Sequence, residues 1–455
     1  MRYRSHLALG AIALATVVAG CGAAPGGSKD DSAAKKTATP ATTAAAAGPP
    51  DISKVGNVTL TIWDQNVRGG QNAEIEELNK QFMAKYPNVK IDRTKKSFED
   101  LQKTVKLAAS GDDAPDIVQA NQGRGVMGEM VKAGLLRPVT DYAKVYKWED
   151  RYSSTLLDLN KFSSDGSQFG TGDLYGLSQA GEIVGVFYNK DMVPTPPTTL
   201  DEFEAALQKA KDAGQTPIMF GNLEKWPGIH EFESVLGQTA DKQAIRDFVF
   251  AKDGASFDTP EFQAGASKIV DWVNKGYFNK NFNGTDYDPA WQSFTKGKSP
   301  FVIAGTWIAA DAGKAMGDKL GFTLMPGKDP NAPVSLGGED LPWAITANAK
   351  NPDVAAAYID FITDANAAKV LVDTGNLPAM KGSPAPTEGV QVDIAKAWET
   401  LNQADGVIPY LDYTTPTFYD DISSAIQKLL AGKESPTDFT GGVQKAFDKW
   451  SSSRS

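Results

Sequence analysis

From Val58 onward, short runs of period-2 hydrophobicity alternate with stretches of helical period. Val58, Leu60 and Ile62 are apolar between Thr59, Thr61 and Trp63, which predicts a strand with one buried face. Ile75, Leu78, Phe82 and Tyr86 then line one side of a helix that Pro87 and Asn88 stop. Val89–Asp92 reads as a strand, and Phe98, Leu101, Val105 and Ala108 as a helical stripe ended by Gly111. Further strands are predicted at Asp116–Ala120, Ile183–Tyr188 and Pro217–Phe220. Thr199 with Glu202 has the spacing of a capping box, opening a helix that buries Phe203, Leu207 and Ala210. Thr259-Pro260 starts another, with Phe262, Ala266, Ile269 and Val273 inward; Asn351-Pro352 precedes an Ala-rich helix, and Phe439–Trp450 closes the pattern. Strands alternating with helices imply an α/β fold with mostly parallel sheets and helices on both faces.

The first 50 residues follow another rule. Arg2 and Arg4 precede an uncharged run, Leu7–Ala19, that is too short for a bilayer-spanning helix of about 20 residues. It reads as a cleavable secretory signal, residues 1–20, ending in small residues before Cys21. The segment resembles a bacterial lipobox, in which the cysteine is lipidated; an ordinary signal peptide is the other reading. Residues 22–50 contain no aromatic residue and no Leu, Ile, Val or Met, so they bury too little to offset chain entropy. Residues 21–57 are therefore expected to be a lipidated, disordered tether.

Charge and composition narrow the chemistry. Removing residues 1–20 leaves 44 basic against 56 acidic residues, a balance that repels phosphate backbones and argues against nucleic acid. His230 is then the lone histidine and Cys21 the lone cysteine, so zinc sites, Cys–His nucleophiles and redox pairs lack their parts. No metal or cofactor is expected. Ligands of open α/β sheets bind beyond the carboxyl ends of strands. There the chain carries Trp63-Asp64-Gln65-Asn66, Asn121-Gln122-Gly123-Arg124 and Gly221-Asn222. Amides and carboxylates pair with hydroxyls and an aromatic face covers sugar C–H groups, which suits a neutral polyhydroxy ligand. With Arg124 the only cation near these loops, phosphorylated sugars are disfavoured.

Several ordered motifs carry a resemblance over about nine-tenths of the chain: Leu60-Thr61-Ile62-Trp63-Asp64, Phe82 to Pro87, Ser110-Gly111 leading to Ala114-Pro115-Asp116-Ile117, Tyr175-Gly176-Leu177, and Tyr188-Asn189-Lys190-Asp191. Pro197 to Phe203, Phe294 to Gly297, Gly305-Thr306-Trp307 and Gly337-Gly338 before Trp343-Ala344-Ile345 complete it. The chain resembles bacterial extracellular solute-binding proteins of the maltose-binding type, the receptor subunits of ABC sugar importers. The resemblance implies two lobes joined by crossovers near Glu182, Asp340 and Pro384, with a ligand cleft between them. The N-lobe would hold 58–181 and 341–383, and the C-lobe 182–340 and 384–455.

Carried over position by position, the resemblance implies a site of Trp63, Asp64, Asn66, Asn121, Gln122, Glu182, Asn222, Trp226, Trp307, Asp340, Phe418 and Tyr419. Ala120 and Gly123 stand where maltose-type members place an aromatic and an aspartate, which puts maltose itself in doubt. His230 reads as a hydrogen-bonded surface or core residue. The implied partners are a carbohydrate, the membrane permease of an ABC importer and, through the lipid, the membrane; a monomer is the family default. Two other classes stay open: a receptor for a polyamine or peptide, and a secreted glycoside hydrolase using Glu182 and Asp340 as its two carboxylates.

Overall fold

The computed structural model describes residues 48–327 and 332–453. The signal, Cys21 and nearly all of the tether lie outside the described residues. The tether ends earlier than the composition suggested. Ile52–Lys54 form a short 3-10 turn with Ile52 buried, and the Asn88 amide donates to the carbonyls of Ile52 and Val55 at 2.9 and 3.0 Å. Two apolar positions, Ile52 and Val55, suffice to dock this end on the body.

Eleven strands are described: β1 (Val58–Asp64), β2 (Val89–Lys95), β3 (Ile117–Gln119), β4 (Lys161–Phe162), β5 (Asp173–Leu174), β6 (Gly181–Asn189), β7 (Phe301–Gly305), β8 (Leu320–Thr323), β9 (Ser335–Glu339), β10 (Trp343–Ile345) and β11 (Val407–Ile408). The first sheet has the order β10-β3-β1-β2, with β1 parallel to β2 and β3, and β10 antiparallel to β3. The second runs β11-β9-β6-β7, with β8 also paired to β6. A small hairpin, β4-β5, stands apart.

The α/β architecture is the expected one, and the direction of the strands corrects the expectation of mostly parallel sheets in the second sheet. There β6 runs antiparallel to β7, β8 and β9, and only β9 and β11 are parallel. All nine residues of β6 are buried, so a continuous apolar run gave no alternation from which to read its neighbours. Pro217–Phe220 is no strand: Ile218 makes only isolated bridges to Phe278 and Phe301.

The helices follow their sequence signals closely. Ser97 Oγ accepts from Asp100 N at 3.1 Å, Thr199 Oγ1 from Glu202 N at 3.2 Å, and Thr259 Oγ1 from Phe262 N. The return bond of the capping box comes from one residue earlier, since the Glu202 carboxylate takes the Thr198 N–H at 2.8 Å. Leu60, Ile62, Ile75, Leu78, Phe82, Trp343 and Tyr358 pack together around the first sheet. Ile183, Phe187, Trp291, Phe294 and Phe322 pack on the second. Among the described residues no helix is long and apolar enough to cross a membrane.

Candidate functional site

A cleft of about 320 Å³ lies between the loops that leave the first sheet and the elements built on the second. On the first side stand Gln65 and Arg68 after β1, Ser97 to Glu99 after β2 and Asn121 after β3. On the other stand Trp226, His230, Tyr287, Trp307, Tyr410, Asp412, Tyr413 and Tyr419. Glu182, at the start of β6, and Asp340, between β9 and β10, form its floor.

Aromatic rings form one wall as a continuous cluster. Trp226 lies 4.5 Å from Tyr287 and 6.0 Å from Trp307, centroid to centroid, and Trp307 donates from Nε1 to the Tyr287 hydroxyl at 2.9 Å. His230 sits between Trp307 and Tyr410, at 5.6 and 5.0 Å, and Tyr410 continues to Tyr413 at 5.6 Å. Local sequence explains two of these positions. The Trp307 indole folds back over Gly305, where a Cβ would overlap the ring, so only glycine lets it lie flat. Trp226 opens the helix Trp226–Leu236, whose Gly228 N–H is capped by Asn222 Oδ1 at 2.7 Å. Desolvation pushes the His230 imidazole down to about 3, so it faces the cleft as a neutral ring.

The polar wall is acidic. Tyr410 donates its hydroxyl to Glu182 at 3.0 Å, while Asp340 accepts from Gln65 Nε2 and its neighbour's Leu341 N–H, each at 2.7 Å. Burial raises the Glu182 carboxyl well above the usual range and Asp340 reinforces it; burial lifts Asp340 to about 6 and Asp412 to about 7. The two sides also bond across the cleft. Arg68 pairs with Asp288 at 3.0 Å, Trp226 Nε1 donates to Glu99 at 3.0 Å, Asn121 donates to Asp412 at 3.3 Å, and Tyr413 donates to Gln122 at 3.1 Å.

Of the residues marked in the sequence, the cleft gathers Asn121, Glu182, Trp226, Trp307, Asp340 and Tyr419. The others stand elsewhere. Trp63 is half-buried against the core outside the cleft lining, with the Lys96 ammonium 4.2 Å from its centroid. Asp64 is buried against Arg93, which it holds through two bonds of 2.6 Å, and also accepts the Asn66 N–H. Asn66 is buried outside the cleft lining. Gln122 lies behind the floor and donates to the carbonyls of Glu339 and Asp340. Asn222 is the helix cap just described. Phe418 is in the core, 5.5 Å from Phe248, because one residue along a helix turns its side chain about 100° away from Tyr419. Arg124 is buried too, donating to the carbonyls of Val249 and Thr414 at 3.0 and 2.8 Å.

The sequence pointed to the loop that carries Gln65 without singling it out, missed Arg68, Phe98, Tyr287, Tyr410, Asp412 and Tyr413, and placed His230 outside the site. A signal existed for Gln65 alone, since it follows directly on the last residue of β1. Tyr410 arrives from 228 residues downstream of Glu182, with Tyr413 just after it, and no local pattern announces that meeting. Among the described residues, no group of three or more His, Cys, Asp or Glu is arranged to hold a metal ion.

The chain as a whole is matched by known proteins. Residues 77–402 match the family described as bacterial extracellular solute-binding protein. The chain belongs to that family. Its relatives include the multiple sugar-binding protein of Streptococcus mutans, 23% identical over 75% of this chain and 78% of that protein. The maltotriose-binding protein of Pyrococcus abyssi is 25% identical over 72% of this chain and 68% of its own length. Among solved structures, a chitin oligosaccharide binding protein superposes with a TM-score of 0.73 at 23% identity, covering 87% of this chain and 99% of its own.

Proposed function

We propose that this solute-binding protein captures a sugar or oligosaccharide in the cleft and hands it to the permease of an ABC importer. The observation that carries the reading is that an aromatic wall, Trp226, Tyr287, Trp307 and Tyr410, shares one cleft with carboxylates and amides. Rings cover the apolar faces of a pyranose, while Glu182, Asp340, Asn121 and Gln65 offer partners to its hydroxyls. The names of the relatives, sugar-binding and maltotriose-binding, support the same class of ligand. The first-sheet side (58–181 with 341–383) and the second-sheet side (182–340 with 384–453) serve as the two lobes, closing about the crossings at Glu182, Asp340 and Pro384. Closure is favoured only through contacts that the open form lacks.

The protein acts as a receptor and leaves the glycosidic bond intact. Glu182 and Asp340 are held in place by Tyr410, Gln65 and the Leu341 N–H, which suits them to recognise a ligand. Cys21 holds the chain to the outer face of the cell membrane through its lipid, with residues 22–51 as the tether, and the chain works as a monomer. Titrating tryptophan fluorescence with a broad glycan panel tests the reading. A saturable change with at least one sugar, and no product after incubation, is the expected result. Silence across the panel, or a hydrolysed sugar, would overturn it.

A further inference from the structure

The cleft holds more carboxyl groups than uncharged hydroxyls require. Seven carboxylates line it, those of Glu99, Glu182, Glu224, Asp286, Asp288, Asp340 and Asp412. Among the lining residues Arg68 is the one guanidinium and no lysine is present. Arg68 is committed to Asp288, to which it donates from both Nε and an Nη at 3.3 and 3.0 Å. Asp340 is only 3% exposed, and its Oδ2 accepts no hydrogen bond among the described residues. Glu182 receives one hydroxyl, that of Tyr410. A buried carboxylate oxygen with no donor costs free energy that a ligand donor recovers, and most fully when that donor is charged.

The facing rings suit the same donor. An ammonium over the face of Trp or Tyr is held by the ring quadrupole, more strongly where water is excluded. Trp226, Trp307, Tyr287 and Tyr410 supply such faces within the same cavity as Glu182 and Asp340. A negative cleft with low-dielectric walls also concentrates cations from solution.

We propose that, among sugars, the cleft selects those bearing a protonated amine, with Asp340 and Glu182 as its ion-pair partners. This rests on the sugar-receptor reading and narrows its ligand class to amino sugars. The surroundings are consistent with it. The groups acting on Asp340 are Gln65, the Leu341 N–H, Arg68 and Asp64; those acting on Glu182 are Asp340, Tyr410, Glu339 and Asp412. Arg68 is the one cation among them, and burial holds Asp340 at about 6 and Asp412 at about 7. An arriving ammonium would therefore displace protons from the cleft, where a hydroxyl would not.

Calorimetry on the mature protein tests this with matched ligands that differ at one substituent. Glucosamine, galactosamine and β-1,4-linked glucosamine dimers and trimers are compared with their N-acetyl and hydroxyl counterparts, with maltotriose and putrescine alongside. An amine-bearing sugar is expected to bind at least 10-fold tighter than its counterparts. At pH 6.5 it should release protons, read from buffers of different ionisation enthalpy, and it should weaken as salt rises. In Asp340→Asn and Glu182→Gln the ratio of amine to hydroxyl ligand should fall toward one; should either variant fail to fold, proton release and salt dependence in the wild type decide. A neutral or N-acetylated sugar that binds as tightly as every amine-bearing one would overturn this inference and leave the sugar reading standing. Binding of putrescine alone, or of nothing in the panel, would sink both.

Discussion

At the scale of single residues, the cleft depends on a few side chains whose neighbours leave them one position. Trp307 is the clearest, pinned over Gly305 and tied by its N–H to Tyr287. Trp307→Ala is expected to weaken sugar binding by about 10- to 100-fold, roughly 1.4 to 2.8 kcal/mol, measured by calorimetry on a folded variant. Glu74 gives a second test. It is buried, accepts from Gln179 Nε2 at 2.9 Å, and desolvation holds its carboxyl at about 8. The folded chain thus keeps a proton that the unfolded chain loses near 4.5, so this group favours folding below that pH and costs stability as pH rises toward 8. Glu74→Gln, neutral throughout, should match the wild type in thermal midpoint near pH 5 and exceed it at pH 8.5. An unchanged difference across that range would refute the assignment.

At the scale of elements, the two glycines of β9 decide how closely the strands at the lobe junction approach. Gly337 and Gly338 have φ of +148° and +143°, and a Cβ on Gly337 would run into the Glu182 carbonyl. Gly337→Ala should lower stability by more than about 1 kcal/mol, read from denaturant midpoints. The helix bearing Trp226 has its own dependence: Asn222→Ala removes the cap on Gly228 and should cost about 1 kcal/mol. Sugar affinity should fall as well, because the start of that helix positions the indole.

These elements also show what the sequence made legible. Helices with a Ser or Thr cap and a regular apolar stripe, such as Phe98–Ser110 and Leu200–Asp212, could be read directly, because capping and burial are local. The site was legible where a loop follows a strand or a glycine turn, as at Asn121 and Trp307. It was obscure where the decisive partner is distant. Asp64 looks like a ligand contact until Arg93 on the adjacent strand is seen to neutralise it. Phe418 and Tyr419 look equivalent until the helix phase sends one into the core. Asn and Asp beside strand ends serve caps and ion pairs as readily as ligands, and only the fold separates the two uses.

At the scale of the whole molecule, the bonds that cross the cleft are expected to bias how the two sides sit together. Arg68–Asp288 and Trp226–Glu99 join the first-sheet side to the second at 3.0 Å each. Removing both, in Arg68→Ala with Glu99→Ala, should expand the ligand-free protein, seen as a larger radius of gyration in small-angle scattering. Saturating sugar should restore the smaller value. Equal radii for variant and wild type would mean that these bonds do not hold the lobes.

The two indoles of the aromatic wall carry a consequence for observing the protein at work. Trp226 and Trp307 lie 6.0 Å apart with their planes at 67°. Transition dipoles that near and that skewed couple as excitons, giving a paired positive and negative band in ultraviolet circular dichroism. Any rotation of one ring against the other alters the couplet, so a ligand that turns either indole would be read optically without an attached dye.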